Sequence, residues 1–264
     1  MGRTKDHDNM NSARREKGVG FCVAGGGVNV GLIRISKIGY PCIRNVWYSA
    51  NGLEEVIDKR AQRIFAMGHA VERLAVEWLA EDGWGVVWNP GSQDADVELR
   101  IPVRGGELVG HPDCLITDGR GWILADIKSM NSRAYKHWTQ QGTVQNKLSY
   151  LCQVTMYAHA LNTSDVEWRG LDSPPKVERV AIIGVNKDTS EYAVEVLEID
   201  DAVTRTTIAK AEYILGAPNP PAKEAWEYPH LGVTSQLPGW CCSYCGYKKA
   251  GVCDGAKEGA DDDE

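Results

Sequence analysis

The feature that most constrains the fold of this chain is a change of hydrophobic period at Gly83. From Asp58 to Asp82, apolar residues recur every three or four positions, which predicts an amphipathic helix that Gly83 ends. The chain then continues in short apolar stretches separated by Asn-Pro-Gly, Gly-Gly and Asp-Gly-Arg-Gly turns, which are typical of strands. The predicted strands are 84–88, 96–103, 107–117 and 122–128.

The second half of the chain continues this alternation. A helical period returns over 145–161, and two further strands over 177–185 and 192–199 are joined by a polar turn. A last helix over 200–215 begins with two acidic residues, which suit a helix N-terminus. The order of elements predicts a mixed α/β (α+β) domain with a central mixed sheet flanked by helices.

The ends of the chain differ from its body. Residues 1–30 are polar and glycine-rich, and we expect a flexible N-terminal segment. Residues 31–216 are expected to form the core. Residues 217–255 are expected to form a linker followed by a cysteine-rich segment, and residues 256–264 a disordered acidic tail.

Composition argues against several classes of protein. The longest apolar runs, such as Val180–Val185, are far shorter than the roughly 20 residues that cross a bilayer. The N-terminus has no apolar signal-peptide core, so we expect a cytoplasmic protein without a membrane partner. The net charge is −7, and about −2 without the last seven residues, which contain five acids. This balance is unusual for a nucleic-acid binder, although an acidic protein can carry a local basic groove.

Two carboxylates and a lysine lie close together in the strand region. Asp113 lies in one predicted strand, and Asp126 and Lys128 lie at the end of the next. The short turn between them predicts an antiparallel hairpin, and residues two apart on a strand share a face. Hard oxygen ligands suit Mg²⁺ or Mn²⁺, and Lys128 would position a water or neutralise a phosphate. The alternative is two strand-end carboxylates beside a solvated lysine.

Four marks in order resemble the RecB-type nucleases of the PD-(D/E)XK superfamily. The stretch GHPD that ends at Asp113 and the stretch DIK that ends at Lys128 resemble its motifs II and III. Upstream, His69 follows a glycine in the first helix, and downstream Gln153 precedes Tyr157 by four residues on one helix face. The resemblance covers about residues 68 to 157 and implies a restriction-endonuclease-like fold.

The resemblance also implies metal and catalytic roles. His69, Asp113 and Asp126 would bind the metal, with the carbonyl of Ile127 as a further ligand. Lys128 would act as the catalytic lysine beside the two aspartates. A histidine on a helix can also have a purely structural role, which is the alternative for His69.

Two helix residues are implied to act on DNA. Gln153 and Tyr157 would contact or orient the DNA backbone near the scissile phosphate, and ordinary helix packing is the alternative for both. Glu72 lies one turn from His69, but we assign it no role.

The cysteines form a second candidate site. Cys241, Cys242, Cys245 and Cys253 fall within 13 residues, and in a reducing compartment such a cluster favours a metal or cluster site over disulfides. Cys242, Cys245 and Cys253 have ligand-like spacing but are one thiolate short of four, and Cys42 is the candidate for the fourth. Cys241 adjoins Cys242 and leaves the first late ligand ambiguous; the C-x2-C spacing favours Cys242.

One cysteine before the nuclease core and three after it resemble a subset of RecB-like nucleases, the CRISPR-associated exonucleases and the AddB-type helicase–nuclease subunit among them. The resemblance implies a [4Fe–4S] cluster that staples the two ends of the chain, with structural zinc as the alternative. Cys22, Cys114 and Cys152 lack ligand-like spacing, and we expect Cys114 and Cys152 in the core.

These observations predict an Mg²⁺- or Mn²⁺-dependent deoxyribonuclease. Exonuclease action on single-stranded DNA or DNA ends is the first hypothesis, because the cluster-bearing relatives mostly act in that way. A structure-specific endonuclease or nickase and a non-catalytic DNA-binding assembly subunit are the alternatives. The short architecture favours a prokaryotic or phage setting in recombination, repair or CRISPR adaptation, with partners from those processes and an oligomer among the options.

Aromatic and basic residues surround the late cysteines. Trp240, Tyr244 and Tyr247, with Lys248 and Lys249, would stack on and neutralise a single strand, or else pack around the cluster.

Overall fold

The computed structural model describes residues 31–90, 97–232 and 237–253. The strands are β1 (Leu32–Arg34), β2 (Gly85–Trp88), β3 (Leu99–Val103), β4 (Gly106–Gly110), β5 (Cys114–Thr117), β6 (Trp122–Met130), β7 (Arg179–Asn186) and β8 (Tyr192–Glu198). The α-helices are α1 (Ile35–Ile38), α2 (Ile43–Ala50), α3 (Lys59–Glu81), α4 (Ser132–Asn146), α5 (Leu148–Thr163), α6 (Asp201–Gly216), α7 (Trp240–Ser243) and α8 (Gly246–Lys249). A short 3₁₀ helix spans Pro229–Leu231.

The strands form two mixed sheets. The larger has the order β2-β5-β6-β7-β8, in which β6 and β7 are parallel and every other pair is antiparallel. The smaller has the order β1-β4-β3, with β1 parallel and β3 antiparallel to β4. The β5–β6 hairpin that the sequence predicts is confirmed, with Cys114 opposite Ala125.

Helices cover both faces of the larger sheet. On one face, α3 contributes Ala75 and Leu79 to a core with alternate residues of β5, β6 and β7. On the other face, α5 lies among the sheets, α1 and α6, and ten of its sixteen residues are buried. A helix that is apolar on nearly every side has to be enclosed in this way, so α5 forms the centre of the main core.

Most of the predicted elements are confirmed, one prediction is wrong, and several elements, β1, α1, α2 and α4 among them, were not predicted. The single strand expected over 107–117 is two strands, β4 and β5, which lie in different sheets and are separated at His111–Asp113. Helix α4 was not predicted, because among its described side chains only Trp138 and Thr143 are buried and its apolar period is weak. Its start is nevertheless marked by Asn131, whose side chain caps the backbone N–H of Ala134.

The segment after α6 packs back on the body. Ala225 forms an isolated β-bridge with Cys42, and the Tyr228 side chain is buried. The expectations for residues 1–30, which include Cys22, and for residues 256–264 fall outside the described residues. Within the ranges that the structure describes, no helix is both long and apolar enough to cross a membrane.

Candidate active site

A notch in the larger sheet positions the candidate catalytic groups. Strand β5 begins at Cys114 opposite Ala125, so β6 continues from Asp126 to Met130 without β5 beside it. The Asp113 carboxylate takes the place of the missing strand and accepts the backbone N–H of Ile127 at 2.7 Å. The hairpin therefore fixes Asp113 beside the edge of β6 through a backbone hydrogen bond.

The carbonyl of Ile127 points into the same notch. In a strand, the N–H and C=O of one residue point to the same side, and the N–H of Ile127 is already directed at Asp113. This orientation is the one that the predicted metal ligand requires.

Asp126 and Lys128 share the face of β6 that α5 covers, as their spacing predicts. Asp126 is completely buried, and its Oδ2 lies 2.7 Å from the Nζ of Lys128. The ammonium also lies 5.3 Å from the centroid of the Tyr150 ring. From α5, the Gln153 amide donates a hydrogen bond to Asp126 Oδ1 at 2.8 Å.

The site has an excess of negative charge at its centre. Burial, together with the charge of Asp126, raises the pKa of Asp113 well above its usual range. Burial also raises the pKa of Asp126, against the opposing effect of Lys128. Burial disfavours the charged form of Lys128, but the two aspartates outweigh that effect and raise the pKa of the ammonium, which keeps it charged.

The donor set fits a divalent cation. Asp126 Oδ2 is buried and, although Lys128 is close, no described donor approaches it with hydrogen-bond geometry. A cation would satisfy that oxygen and relieve the repulsion between the two carboxylates. Two carboxylates and a backbone carbonyl are a ligand set that suits Mg²⁺, which keeps several waters. Within the described ranges, no three His, Cys, Asp or Glu side chains are placed to hold a metal ion together, and waters would be the remaining ligands.

Helix α3 presents Glu72 to the site more directly than His69. The charge of Glu72 contributes to raising the pKa of both Asp113 and Asp126. The His69 side chain is 77% exposed, and its hydrogen bond joins Nδ1 to the Glu72 carboxylate at 3.2 Å. No described contact joins His69 to either aspartate. Glu72 is thus the residue that the sequence left unassigned, although its place on the sheet-facing side of an amphipathic helix was a usable signal.

The geometry agrees with the sequence comparison. The chain matches the family model of the PD-(D/E)XK nuclease superfamily over residues 43–254. The chain belongs to this superfamily. The predicted mixed α/β, restriction-endonuclease-like fold is confirmed with it.

Solved structures and curated proteins were also compared with this PD-(D/E)XK protein. It is similar to a crystal structure of an alkaline exonuclease, LHK-Exo, from Laribacter hongkongensis, with 16% identity, 71% of this chain and 88% of that chain covered, and a TM-score of 0.47. It is similar to SSO0001, with 14% identity, coverage of 85% and 86%, and a TM-score of 0.45. A complex of LHK-Exo with dAMP gives 16% identity, coverage of 72% and 89%, and a TM-score of 0.44. No curated protein matches the sequence significantly.

The two α5 residues assigned to DNA lie in different surroundings. The Gln153 amide donates a hydrogen bond to Asp126, and this contact orients a carboxylate of the PD-(D/E)XK site. Tyr157 is only 2% exposed, and its hydroxyl lies 2.8 Å from the place where a Cβ on Gly110 would be. Since the Tyr157 side chain does not reach the surface, the structure favours the packing alternative, and the expectation that Tyr157 contacts or orients the DNA backbone stays a prediction. Tyr150, whose ring centroid lies 5.3 Å from the Lys128 ammonium, is an α5 residue of the site that the sequence did not indicate.

The cysteine-rich segment of the PD-(D/E)XK chain forms a separate site. One small cavity is lined by Cys42, Asn45, Tyr48, Lys223, Cys241, Cys242, Cys245, Lys248 and Cys253. The Asn45 amide donates to the Sγ of Cys245 at 3.4 Å, and burial raises the pKa of Cys241 to about 11. The structure therefore brings Cys42 and the late cysteines to one place. Cys114 and Cys152 lie in the core, as expected.

The aromatic residues around this cavity differ in exposure. Tyr247 is buried against Tyr48, with ring centroids 5.2 Å apart, and is a packing residue. Trp240 and Tyr244 are exposed, as are Lys248 and Lys249.

Proposed function

We propose that this protein is a divalent-metal-dependent deoxyribonuclease whose catalytic centre is the notch between β5 and β6. The observation that carries the proposal is the buried pair Asp113 and Asp126, which meets Lys128 and the backbone of Ile127 in that notch. Asp113, Asp126 and the carbonyl of Ile127 would hold Mg²⁺ or Mn²⁺. When bound, such an ion activates a water and stabilises the charge that develops on a phosphate.

The side chains around the ion have distinct roles in this proposal. Without the ion, the two aspartates raise the pKa of Lys128, and its ammonium is suited to neutralise a phosphate oxygen or orient a water. Gln153 keeps Asp126 in place. Glu72 would have to turn toward the two aspartates to supply a further carboxylate from α3, because the three are not placed to hold an ion together. His69 would orient Glu72 through their hydrogen bond, and direct ligation by His69 stays a prediction.

The substrate proposal is exonuclease action on single-stranded DNA or on DNA ends, in recombination, repair or phage DNA metabolism. It rests on the resemblance of the motifs to cluster-bearing RecB-type nucleases. A structure-specific endonuclease or nickase would use the same centre. A circular single strand separates the two, because an exonuclease leaves it intact and an endonuclease cuts it.

The test is a cleavage assay on end-labelled linear single-stranded DNA with Mg²⁺ or Mn²⁺. Chelation should stop cleavage, and Lys128→Ala should lower its rate by about 100-fold or more, because removing one charge-stabilising donor typically has that effect. Lys136→Ala is the matched control, since Lys136 is an exposed lysine on α4. Lys136→Ala should keep the wild-type melting temperature, whereas Lys128→Ala should melt lower, because buried Asp126 loses its cationic partner. Both variants are therefore assayed at a temperature at which circular dichroism shows them folded. Full activity of Lys128→Ala would overturn the assignment, and a wild-type protein that binds DNA without cutting it would favour the assembly subunit.

We also propose that Cys42, Cys242, Cys245 and Cys253 hold a [4Fe–4S] cluster. Support comes from the common cavity and from the β-bridge between Cys42 and Ala225, which joins the early cysteine to the C-terminal segment. The thiols would have to turn toward one another, because no three of those described are placed to coordinate an ion. Iron and acid-labile sulfide analysis of anaerobically purified protein tests this proposal; stoichiometric zinc without iron would replace the cluster with a structural zinc site.

A further inference from the structure

Helix α3 projects beyond the sheet that it covers. Its buried residues, Ala75 and Leu79, both lie in its C-terminal half. In the N-terminal half, Ile64, Phe65 and Met67 are 48%, 55% and 52% exposed. Three large apolar side chains within about one turn therefore face solvent at one end of a helix whose other end is packed.

The exposed half of α3 adjoins the candidate catalytic centre at its C-terminal end. Ile64, Gly68, Glu72, Ala75 and Leu79 are spaced by four, four, three and four residues, so they form one stripe along the helix. The stripe packs on the sheet at Ala75 and Leu79. At Glu72 it lies close enough to the aspartates for the charge of Glu72 to raise the pKa of Asp113. At Gly68 a Cβ would meet no atom within 4 Å, so the helix is uncovered there. Ile64 lies about 12 Å along the axis from Glu72.

The charge of this half is opposite to that of the whole protein. The chain has a net charge of −7, yet the 13 residues from Lys59 to Val71 contain three cations and no acid. These cations are Lys59, Arg60 and Arg63, and none of them forms an ion pair within the described residues. This end of the helix is therefore both apolar and locally basic, with the six side chains distributed around its circumference.

The start of the same helix lies beside the cysteine-rich segment. Asp58 caps α3 through the backbone N–H of Ala61, and Lys249 of α8 approaches the Asp58 carboxylate at 3.3 Å. The exposed half of α3 thus runs from the exposed lysines of α8 to the catalytic centre.

We propose that this exposed half of α3 binds an unpaired DNA strand as it enters the catalytic centre. The bases would lie against Ile64, Phe65 and Met67, and the phosphates would pair with Lys59, Arg60 and Arg63. An unpaired strand offers both the base faces and the charge that this surface complements, whereas a duplex hides its base faces by stacking. The inference rests on the proposed nuclease function and specifies its substrate as single-stranded at this position.

The first experiment measures binding of a fluorescent oligo(dT) strand by anisotropy, with a chelator present so that no cleavage occurs. Phe65→Ala should weaken binding roughly tenfold, because one base–aromatic contact is worth about 1–3 kcal/mol. Phe65→Trp should retain binding. Tyr213→Ala is the matched control, since Tyr213 is a 45% exposed aromatic residue on α6, on the other side of the sheet. Equal binding by wild type and Phe65→Ala would overturn the inference.

The second experiment separates this inference from the proposed function. Wild type that cleaves, together with Phe65→Ala that loses rate on single strands more than on blunt duplex, supports both proposals. Wild type that cleaves while Phe65→Ala cuts every substrate equally well overturns the inference alone. Wild type that binds oligo(dT) through Phe65 but never cleaves overturns the proposed function alone. An apolar face that instead joins two copies would give a dimer that Ile64→Ser disrupts, with unchanged DNA affinity, and would also overturn the inference.

Discussion

The notch that we propose as the catalytic centre and the cysteine cavity both gather side chains of the kinds that bind metals, but the protein holds them in different ways. In the notch, Asp113 is fixed by a backbone N–H of β6, and Asp126 is held by Gln153. In the cavity, the thiols lie on the short helix α7, at the residues that precede α2 and α8, and after α8, and Asn45 donates a hydrogen bond to Cys245.

The difference indicates where each metal would act. The strands and α5 prepare the notch without an ion, so a bound ion would contribute mainly to chemistry. Four-residue helices have little stability of their own, so a bound cluster or zinc would contribute mainly to folding of the C-terminal segment. Removing the ion from the notch should therefore affect rate, and removing the ligand from the cavity should affect stability.

The largest effect should come from Asp113→Asn, which keeps an acceptor for the N–H of Ile127 but removes a charge. Cleavage should fall by about 100-fold or more, as for the loss of one strong charge-stabilising group. Burial and the charge of Asp126 raise the pKa of Asp113 above 3.8, the usual pKa of an aspartate side chain. The metal-free fold therefore loses stability as the pH rises above 3.8, because the native carboxyl has to ionise in an unfavourable place. The chelated variant should therefore melt at a higher temperature than chelated wild type at pH 7.

Thermal melting with chelator between pH 4 and 8 measures this effect. The advantage of Asp113→Asn should shrink toward the acid end, where the wild-type carboxyl is protonated. A variant that melts lower than wild type at pH 7 would show that the notch depends on the charge for its structure, and the contrast with the cavity would fail.

In the cysteine cavity, loss of a ligand should lower the melting temperature instead of raising it. Cys242→Ser should release the iron and lower the melting temperature by about 5 °C or more, because a structural metal site contributes folding free energy directly. Cys241→Ser is the matched control and should retain both. Iron analysis and calorimetry on the two variants give the answer; iron loss from Cys241→Ser alone would reassign the ligand, and unchanged melting of both would remove the structural role.

A smaller effect should come from Lys210, a buried lysine of α6 that donates to the carbonyl of Tyr40 at 2.8 Å, two residues before Cys42. Burial lowers the pKa of Lys210 to about 8 from its usual 10.5. The charged form therefore destabilises the fold below about pH 8, and that penalty fades as the pH rises toward 10.5. Relative to Lys210→Met, wild type should gain a few degrees in melting temperature between pH 7 and 10. A pH-independent difference would show that Lys210 titrates normally.

Hydrophobic period predicted the elements where the local pattern was long or well bounded. It identified α3, the β5–β6 hairpin, β7 and β8, because each buries one repeating face or lies wholly inside. It merged β4 and β5, because their assignment to different sheets depends on strand pairing: β4 pairs with β1 and β3, whereas β5 pairs with β2 and β6. It omitted α4, whose sequence is mainly polar.

The candidate site divides in the same way. Asp126 and Lys128 could be placed together because a strand has a period of two, which local sequence reveals. The position of Glu72 near the aspartates and the contact of Tyr150 with Lys128 depend on how α3 and α5 pack on the sheet. Residue spacing alone does not predict that packing. Tyr157 shows the same limit, because the four-residue spacing placed it beside Gln153 but did not reveal that Gly110 leaves the space which buries it.

The most direct test of the central claim is Mn²⁺ binding to metal-free protein, followed through the electron paramagnetic resonance signal of the free ion. Wild type and Cys242→Ser should both bind Mn²⁺, provided the variant is measured below its melting temperature. Asp126→Asn, folded by circular dichroism, should bind it at least about tenfold more weakly, because the variant removes one of two carboxylate ligands. Equal Mn²⁺ affinity of wild type and Asp126→Asn would contradict the account, since the ion would then lie somewhere other than the notch between β5 and β6.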